Sequence, residues 1–439
     1  MRFVPFPLLS EEDKAEKSEG GLDPLGLAQI SESLAVQLIP GVRERMSHPR
    51  YLTAMAVGIE VCRDFPEDKL AADGLTPPWL VFEWLMVEGL VRTSDGQNTF
   101  KLPGSQKATE AIRRQAPLSA ARYLKTPTVF GFYGVYRGLA RDLCIENAGR
   151  IAETGYDLLT SWSRDQRLPG FVGTGGGKGE YVREQLYWAV RESLEVGEVK
   201  RGKNWQYWQF FRERLAPDHV GDTEGLVLRN ALVGDSIGFR GTVLRFVASR
   251  NGRNILEKTQ SERAFHIGLR DRENNPHLRS LLDTILSYEK FCRFAQNAFT
   301  HVLIELGRRD RRTSPKDLAQ LSCVRIAAKE IPKMFGAVIE KLEPYHETEH
   351  FAQTFASLSE PTNSATWVER LLQHHIDVQR RKPPLGKSPW FERFDDGSVV
   401  IRPLYRKPYQ VDERDDSYVH GYRTWSLASF AHDLNLRAT

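Results

Sequence analysis

Residues 123–162 read YLKTPTVFGFYGVYRGLARDLCIENAGRIAETGYDLLTSW. Thr126 and Pro127 predict the start of a helix, because proline is favoured in the first turn of a helix and threonine caps it. Apolar residues then recur at three- and four-residue spacing, as on one face of an amphipathic helix: Val129, Phe132, Tyr136, Leu139 and Leu143. Arg137 and Arg141 fall off that face.

A turn and a short strand are predicted to follow this helix. Residues 146–150 have the composition of a turn, and residues 151–156 predict the strand of a β-wing. A weaker copy occupies residues 69–102, with a helix after Pro77-Pro78, an Asp95-Gly96 turn and a strand at Thr99–Leu102. The two copies together predict a tandem winged-helix-like region.

Winged helices bind duplex DNA through a helix in the major groove, and many serve as protein-docking modules instead. Both uses stay open at this point. If the region binds DNA, its cations are the residues expected to contact phosphates: Arg92, Lys101, Arg137, Arg141 and Arg150.

Composition limits the class of protein. The 439-residue chain has a formal net charge of +4, so any nucleic-acid site must be a local patch and not a histone-like covering of charge. The four cysteines are far apart in sequence and predict reduced thiols. No apolar run has the length of a membrane span, and residues 1–10 lack a signal-peptide pattern, so we expect a cytoplasmic protein.

The chain is predicted to be mainly α and multidomain. Tandem winged-helix-like units should be followed by an α-helical bundle, with long helices near residues 281–306 and 324–342, and by a small C-terminal β-hairpin. The predicted segments are an N-terminal helical segment at 1–66, the winged-helix-like region at 67–168, a helical scaffold at 180–382 and a basic tail at 383–439.

The N-terminal region carries the pattern Leu25-Gly26, Leu38, Pro40-Gly41 and Arg50-Tyr51-Leu52. This pattern resembles the opening of an uncharacterised bacterial family found in phage-defence and mobile-element operons. The resemblance covers some forty residues. It implies a setting in defence or DNA processing, and it assigns no activity and no functional residue.

Residues 346–350 read HETEH and match H-E-x-x-H, the helical motif that places two zinc-binding histidines on one face with a glutamate as general base. His346 and His350 would be ligands, and Glu369 is a candidate for the third ligand that catalytic zinc requires. Against this reading, the apolar residues Phe351 and Phe355 predict that the histidines face solvent. A zinc-dependent hydrolase is therefore an alternative, while the favoured prediction has no metal and no cofactor.

Residues 170–179 form a glycine-rich loop ahead of a predicted helix. Such a loop can bind phosphate through backbone N–H groups. The spacing does not fit a Walker A motif, because Val172 and Gly179 stand where that motif needs glycine and Ser or Thr. We therefore predict an interdomain loop and no nucleotide.

The C-terminal segment interleaves basic and aromatic residues around a predicted hairpin at Asp395-Asp396-Gly397. Phosphate contact and base stacking by this segment, or packing of a basic tail on protein, are equally consistent with the pattern. The cations expected to contact DNA here are Arg380, Arg381, Lys382, Lys387 and Arg402.

The sequence thus favours a non-catalytic DNA-binding or adaptor subunit of a bacterial DNA-processing or anti-phage defence assembly. Its expected partners are DNA and other protein subunits. The alternatives are the zinc-dependent hydrolase at residues 346–350 and a winged-helix transcription regulator.

Overall fold

The computed structural model describes residues 23–94, 101–234, 238–309, 311–383, 385–406, 412 and 415–436. Within these ranges the chain is mainly helical and has two small antiparallel hairpins, which confirms the predicted fold class. None of the described helices has the length and apolar character that crossing a membrane requires.

The first ten helices, in chain order, are α1 (Ala28–Leu38), α2 (Tyr51–Cys62), α3 (Pro78–Arg92), α4 (Ser105–Arg113), α5 (Pro127–Phe130), α6 (Phe132–Asp142), α7 (Glu153–Asp165), α8 (Lys178–Val196), α9 (Trp208–Leu215) and α10 (Asp222–Val233). The others are α11 (Arg240–Ala248), α12 (Arg250–Thr259), α13 (Glu262–Arg270), α14 (Pro276–Arg309), α15 (Pro315–Leu318), α16 (Ser322–Leu342), α17 (Thr348–Ser359), α18 (Ser364–Arg381) and α19 (Thr424–Asp433). The strands are β1 (Glu146–Asn147), β2 (Arg150–Ile151), β3 (Phe391–Arg393) and β4 (Val399–Ile401).

The chain divides into two compact units. The flanking unit combines residues up to Leu34 with Ser261–Gly421, and the middle unit combines Ala35–Gln260 with the chain from Tyr422. The four predicted segments do not coincide with these units, since the predicted scaffold at 180–382 is divided at residue 260. Each unit is assembled from segments that are far apart in sequence, and such an assembly has no local signal in the composition of the chain.

The middle unit is built around α2. This helix is mostly apolar and is buried from Tyr51 to Val61, as expected of a helix surrounded by others. Helices α3, α6, α7 and α8 pack against it. In the same unit α19 packs on α11, and the imidazole Nδ1 of His48 lies 2.6 Å from a carboxylate oxygen of Asp433.

The flanking unit is organised by the two long helices that the sequence predicts. Helix α14 runs for 34 residues and packs along α16, which in turn contacts α17 and α18. The hairpin of β3 and β4 forms around Asp395-Asp396-Gly397 as predicted, and its register pairs Phe391 with Ile401. Strand β4 also contacts α14, so the hairpin is part of this unit's core.

The stretch that predicts the winged helix is helical, with two differences from the prediction. Gly131 interrupts the helix between α5 and α6. The wing strand is wrong beyond Ile151, because α7 begins at Glu153 and buries Leu158 and Trp162 on one face. The β1–β2 hairpin, with two residues in each strand, lies where the wing was predicted.

The weaker copy contains the predicted helix as α3, which continues to Arg92. Its Asp95-Gly96 turn and residues Thr99-Phe100 lie outside the described residues. Lys101 and Leu102 do not belong to a strand, and Lys101 is exposed with a φ of 44°.

The buried carboxyl of Glu83, in α3, should make the stability of the middle unit pH dependent. It accepts hydrogen bonds from the Tyr123 hydroxyl (2.7 Å) and the Tyr133 backbone N–H (2.8 Å). Burial nevertheless raises its pKa from 4.5 to about 7. Between these two pH values the folded chain holds a proton that the unfolded chain has released, so the free energy of unfolding falls as pH rises.

We expect Glu83→Gln to remove this fall, which corresponds to about 3 kcal/mol. Urea unfolding of the variant and the wild type at about pH 5 and about pH 8 measures it. Relative to wild type, the variant should gain stability between the two pH values. If the variant and the wild type differed in unfolding free energy by the same amount at both pH values, the pKa of Glu83 would not be raised in the folded chain.

Candidate nucleic-acid interface

Two of the predicted DNA-contacting arginines converge on Glu146 at the start of the β1–β2 hairpin. The guanidinium Nε of Arg141 lies 3.1 Å from one carboxylate oxygen of Glu146, and that of Arg137 lies 3.8 Å from the other. Glu146 is buried and also accepts a hydrogen bond from the Gly149 N–H at 2.6 Å. The side chains of Arg137 and Arg141 are 40% and 51% exposed. They therefore form a positive surface whose charge Glu146 partly compensates.

The other arginines predicted in this region also have carboxylate partners. Arg150 pairs with Glu67 at 2.8 Å on the surface. Arg92 pairs with Glu88 at 2.7 Å, and its guanidinium lies over the ring of Trp208 at 5.2 Å from the centroid. The buried carboxylate of Glu88 and the contact with a buried tryptophan indicate that Arg92 stabilises the fold.

The basic residues at the end of α18 do not form one phosphate-binding face. Arg380 and Arg381 are exposed, and the Arg380 guanidinium is 3.9 Å from Asp377. Lys382 is half-buried and donates a hydrogen bond to the backbone carbonyl of Asp23 at 2.7 Å. Its hydrogen bond to Asp23 holds the N-terminal segment, and burial lowers its pKa. Both features make Lys382 a poor candidate for DNA contact.

Two aromatic residues of the C-terminal segment stack on each other. The rings of Trp390 and Tyr405 are nearly parallel at a centroid distance of 4.8 Å, and Trp390 is buried. Lys387 and Arg402, predicted to contact DNA beside them, are both half-buried. This arrangement matches the alternative in which the segment packs on its own protein.

A groove between α16 and the start of α18 gathers cations that the sequence analysis missed. Arg325, Lys329 and Lys333 follow one another at four-residue intervals on α16, and all three are exposed. Four residues of helix advance about 6 Å, so the row is about 12 Å long. The groove has a volume of about 640 Å³, and its lining consists of Arg325, Ala328, Lys329, Pro332, Lys333, Pro361, Thr362, Asn363 and Ser364.

The wall opposite this basic row is the N-terminus of α18. The Asn363 side chain caps the helix by accepting a hydrogen bond from the Thr366 N–H at 3.0 Å. The first N–H groups of a helix have no partner within the helix, and the helix dipole favours negative charge there. The groove therefore presents positive potential from both walls.

The groove differs from the β1–β2 hairpin in its charge balance. No carboxylate lines it, and the described ion pairs include none to Arg325 or Lys329. Lys333 pairs with Glu330 at 2.9 Å, with both side chains substantially exposed. Exposed pairs of this kind contribute little, so Lys333 is available to an anion.

The spacing of this row is visible in the printed sequence as four-residue steps from residue 325 to residue 333. Sequence reasoning missed it because such rows also occur on solvated helix faces. Residues 361–364, which complete the groove, follow α17 in the chain, and only the tertiary structure brings them beside the cations of α16.

The H-E-x-x-H residues do not form the helical arrangement that the motif requires. A short 3-10 turn ends at Tyr345, His346 has a φ of 60°, and α17 begins only at Thr348. His350 lies 3.4 Å from Glu347, whereas His346 is exposed at the turn. His346, His350 and Glu369 do not form a group of converging metal ligands among the described residues.

The glycine-rich loop at 170–179 surrounds the side chain of an arginine. The Arg183 guanidinium, on α8, donates hydrogen bonds to the carbonyls of Phe171 (2.5 Å) and Gly173 (2.7 Å), and it lies 3.5 Å from Glu60. Because the loop carbonyls face this buried arginine, its side chain fixes the conformation of the loop from the inside.

The chain matches no protein-family model, and neither the curated proteins nor the solved structures contain a significant match.

Proposed function

We propose that this protein is a non-catalytic DNA-binding adaptor, with the groove between α16 and α18 as its principal contact with phosphates. The observation that carries this proposal is the row of Arg325, Lys329 and Lys333, which faces a helix N-terminus across a groove lined by no carboxylate. The exposed faces of Arg137 and Arg141 at the β1–β2 hairpin supply a second, weaker contact.

The length of the row favours a polymer over a small anion. The charges of a nucleotide's phosphates are concentrated within one small group, whereas a DNA strand carries one charge on every nucleotide. Three cations spread over about 12 Å of helix match charges distributed along a line. The apolar floor of Ala328, Pro332 and Pro361 adds shape but no hydrogen-bond pattern for reading bases, so the contact should be independent of sequence.

The lining of the groove also fits binding better than chemistry. It contains no histidine, cysteine, aspartate or glutamate that could transfer a proton or hold a catalytic metal. Association with further protein subunits in a DNA-processing or phage-defence assembly is part of this proposal. That part rests on the resemblance of the N-terminal region to the family found in phage-defence and mobile-element operons.

Charge reversal in the groove should weaken DNA binding and reduce its salt dependence. The test variant is Arg325→Glu/Lys329→Glu/Lys333→Glu, measured by fluorescence anisotropy with duplex and single-stranded DNA over a salt series. Each lost phosphate contact lowers the slope of log affinity against log salt by about 0.9 for duplex DNA. Loss of the row should therefore lower the slope by about 2 to 3 and the affinity at least tenfold.

A matched control is Arg250→Glu/Arg253→Glu/Lys258→Glu, which reverses three exposed cations on α12 outside the groove. It should retain the wild-type slope. Equal effects of the two triple variants would show that overall charge, and not the groove, drives binding. A larger loss in Arg137→Glu/Arg141→Glu would move the principal contact to the β1–β2 hairpin.

A further inference from the structure

A second chemical cluster lies on α14 of the flanking unit. Glu289 and Cys292 are one turn apart on this helix, and His420 reaches them from the segment after the C-terminal hairpin. One potential ligand atom of each residue lies within 4.8 Å of the others. Among the described residues, this is the group in which three such side chains converge.

The positions of all three ligands are fixed by the fold. Residues three apart on a helix lie on the same face, and Glu289 and Cys292 are both buried there. Residues 415–420, which we call the strap, are held against α14. The Arg293 guanidinium donates hydrogen bonds to the Ser417 and Tyr418 carbonyls at 2.8 and 2.7 Å.

Glu289 also attaches the strap to α14. Its carboxylate accepts hydrogen bonds from the backbone N–H groups of Val419 (2.6 Å) and His420 (3.3 Å). One of its oxygens lies 2.8 Å from the imidazole Nδ1 of His420. The imidazole is thus positioned beside the carboxylate and the thiol by the backbone of its own segment, as a metal ligand on a loop must be.

We propose that Glu289, Cys292 and His420 bind one zinc ion, which fastens the strap to α14. Mixed oxygen, sulfur and nitrogen ligands are characteristic of zinc, whereas calcium and magnesium require oxygen ligands. The two positive charges of a zinc ion balance the one negative charge of a carboxylate and the one of a thiolate, so the ion and its ligands are neutral together. Binding releases the Cys292 thiol proton to solvent, and a water molecule fills the fourth position.

This site shares no residue with the groove, so the inference does not depend on the proposed function. It also differs from the H-E-x-x-H hypothesis, which uses His346 and His350. The two zinc hypotheses make opposite predictions for the same set of variants.

Metal analysis of the purified full-length chain, after incubation with zinc and removal of the excess, tests the proposal. We expect about one zinc per chain for the wild type, and loss of most of it in Cys292→Ala and His420→Ala. Two matched controls should retain the metal: Cys323→Ala, which removes a buried thiol on α16, and His346→Ala. Far-ultraviolet circular dichroism establishes that each variant is folded.

Cobalt substitution identifies the sulfur ligand directly. Cobalt bound to a thiolate gives a ligand-to-metal charge-transfer absorption band in the near ultraviolet. The band should appear in the wild type and in Cys323→Ala, and it should be absent from Cys292→Ser, which keeps the size of the side chain.

Three outcomes would overturn the proposal. They are a wild-type chain that holds no stoichiometric zinc, a cobalt spectrum without a thiolate band, and zinc that is lost in His346→Ala but kept in Cys292→Ala. The last would place the metal at residues 346–350 and revive the hydrolase alternative.

Discussion

Replacement of Arg50 by methionine should destabilise the middle unit by about 3–5 kcal/mol, because it leaves a buried carboxylate without its partner. The Arg50 guanidinium forms two hydrogen bonds with Glu224, at 3.0 and 3.2 Å, and both side chains are fully buried. It also donates hydrogen bonds to the backbone carbonyls of Arg214 and Ala216. The single substitution removes the cation beside the buried Glu224 carboxylate, which keeps only the hydrogen bond from the Gly221 N–H at 3.2 Å among the described contacts.

Chemical denaturation gives the free energy of unfolding of Arg50→Met, Glu224→Leu and the double variant. Comparison of the three separates the energy of the ion pair from the cost of burying one unpaired charge. The double variant should be more stable than Arg50→Met, since an apolar pair of similar volume removes the uncompensated charge. Arg150→Met, which breaks the exposed pair with Glu67, should change stability by less than about 1 kcal/mol. Similar losses for Arg50→Met and Arg150→Met would contradict the central role of the buried pair.

The second large effect should be a loss of stability in acid that depends on His375. Its imidazole Nδ1–H donates to the Pro24 carbonyl at 2.8 Å, and its Nε2 accepts from the Trp390 N–H at 3.0 Å. These contacts require the neutral ring, and burial lowers the pKa of His375 to about 3. Below pH 6.5 the unfolded chain binds a proton that the folded chain excludes, so stability falls as pH falls from 6.5 to about 3.

The full difference in pKa corresponds to about 5 kcal/mol for this one residue. His375→Gln should be less stable than wild type at about pH 8, because it loses ring packing against Phe299 and Trp390. Its stability should nevertheless decline less steeply than that of wild type toward about pH 4.5. Parallel pH profiles of unfolding free energy for the two proteins would show that His375 is protonated in the folded state.

The fold class could be predicted because helix periodicity is a local signal. The apolar residues of α3, α14 and α16 repeat at helical spacing, and the Asp395-Asp396-Gly397 turn is a local hairpin signal. The wing strand was wrong because residues 151–156 also fit the first turns of an amphipathic helix, and burial of Leu158 and Trp162 decides in favour of α7.

The candidate sites could be predicted only in part, because their chemistry depends on partners distant in sequence. Arg141 is exposed and Arg137 is half-buried, and their compensation by Glu146 depends on how the hairpin folds back. Arg50 belongs to the pattern used for the N-terminal resemblance, and its partner Glu224 lies 174 residues away. The strap illustrates the same limit, since His420 meets Glu289 across 131 residues.

The division of the chain into a flanking and a middle unit has a consequence for biosynthesis. Neither unit is continuous in sequence: the flanking unit needs the strap at residues 415–420, and the middle unit needs α19 to cover α11. While the chain is being made, each core lacks part of its surface until the segment that completes it, residues 415–420 or α19, has left the ribosome. Neither core can therefore be completed before these segments have been made, and until then the nascent chain exposes apolar helix surface that is prone to misassembly.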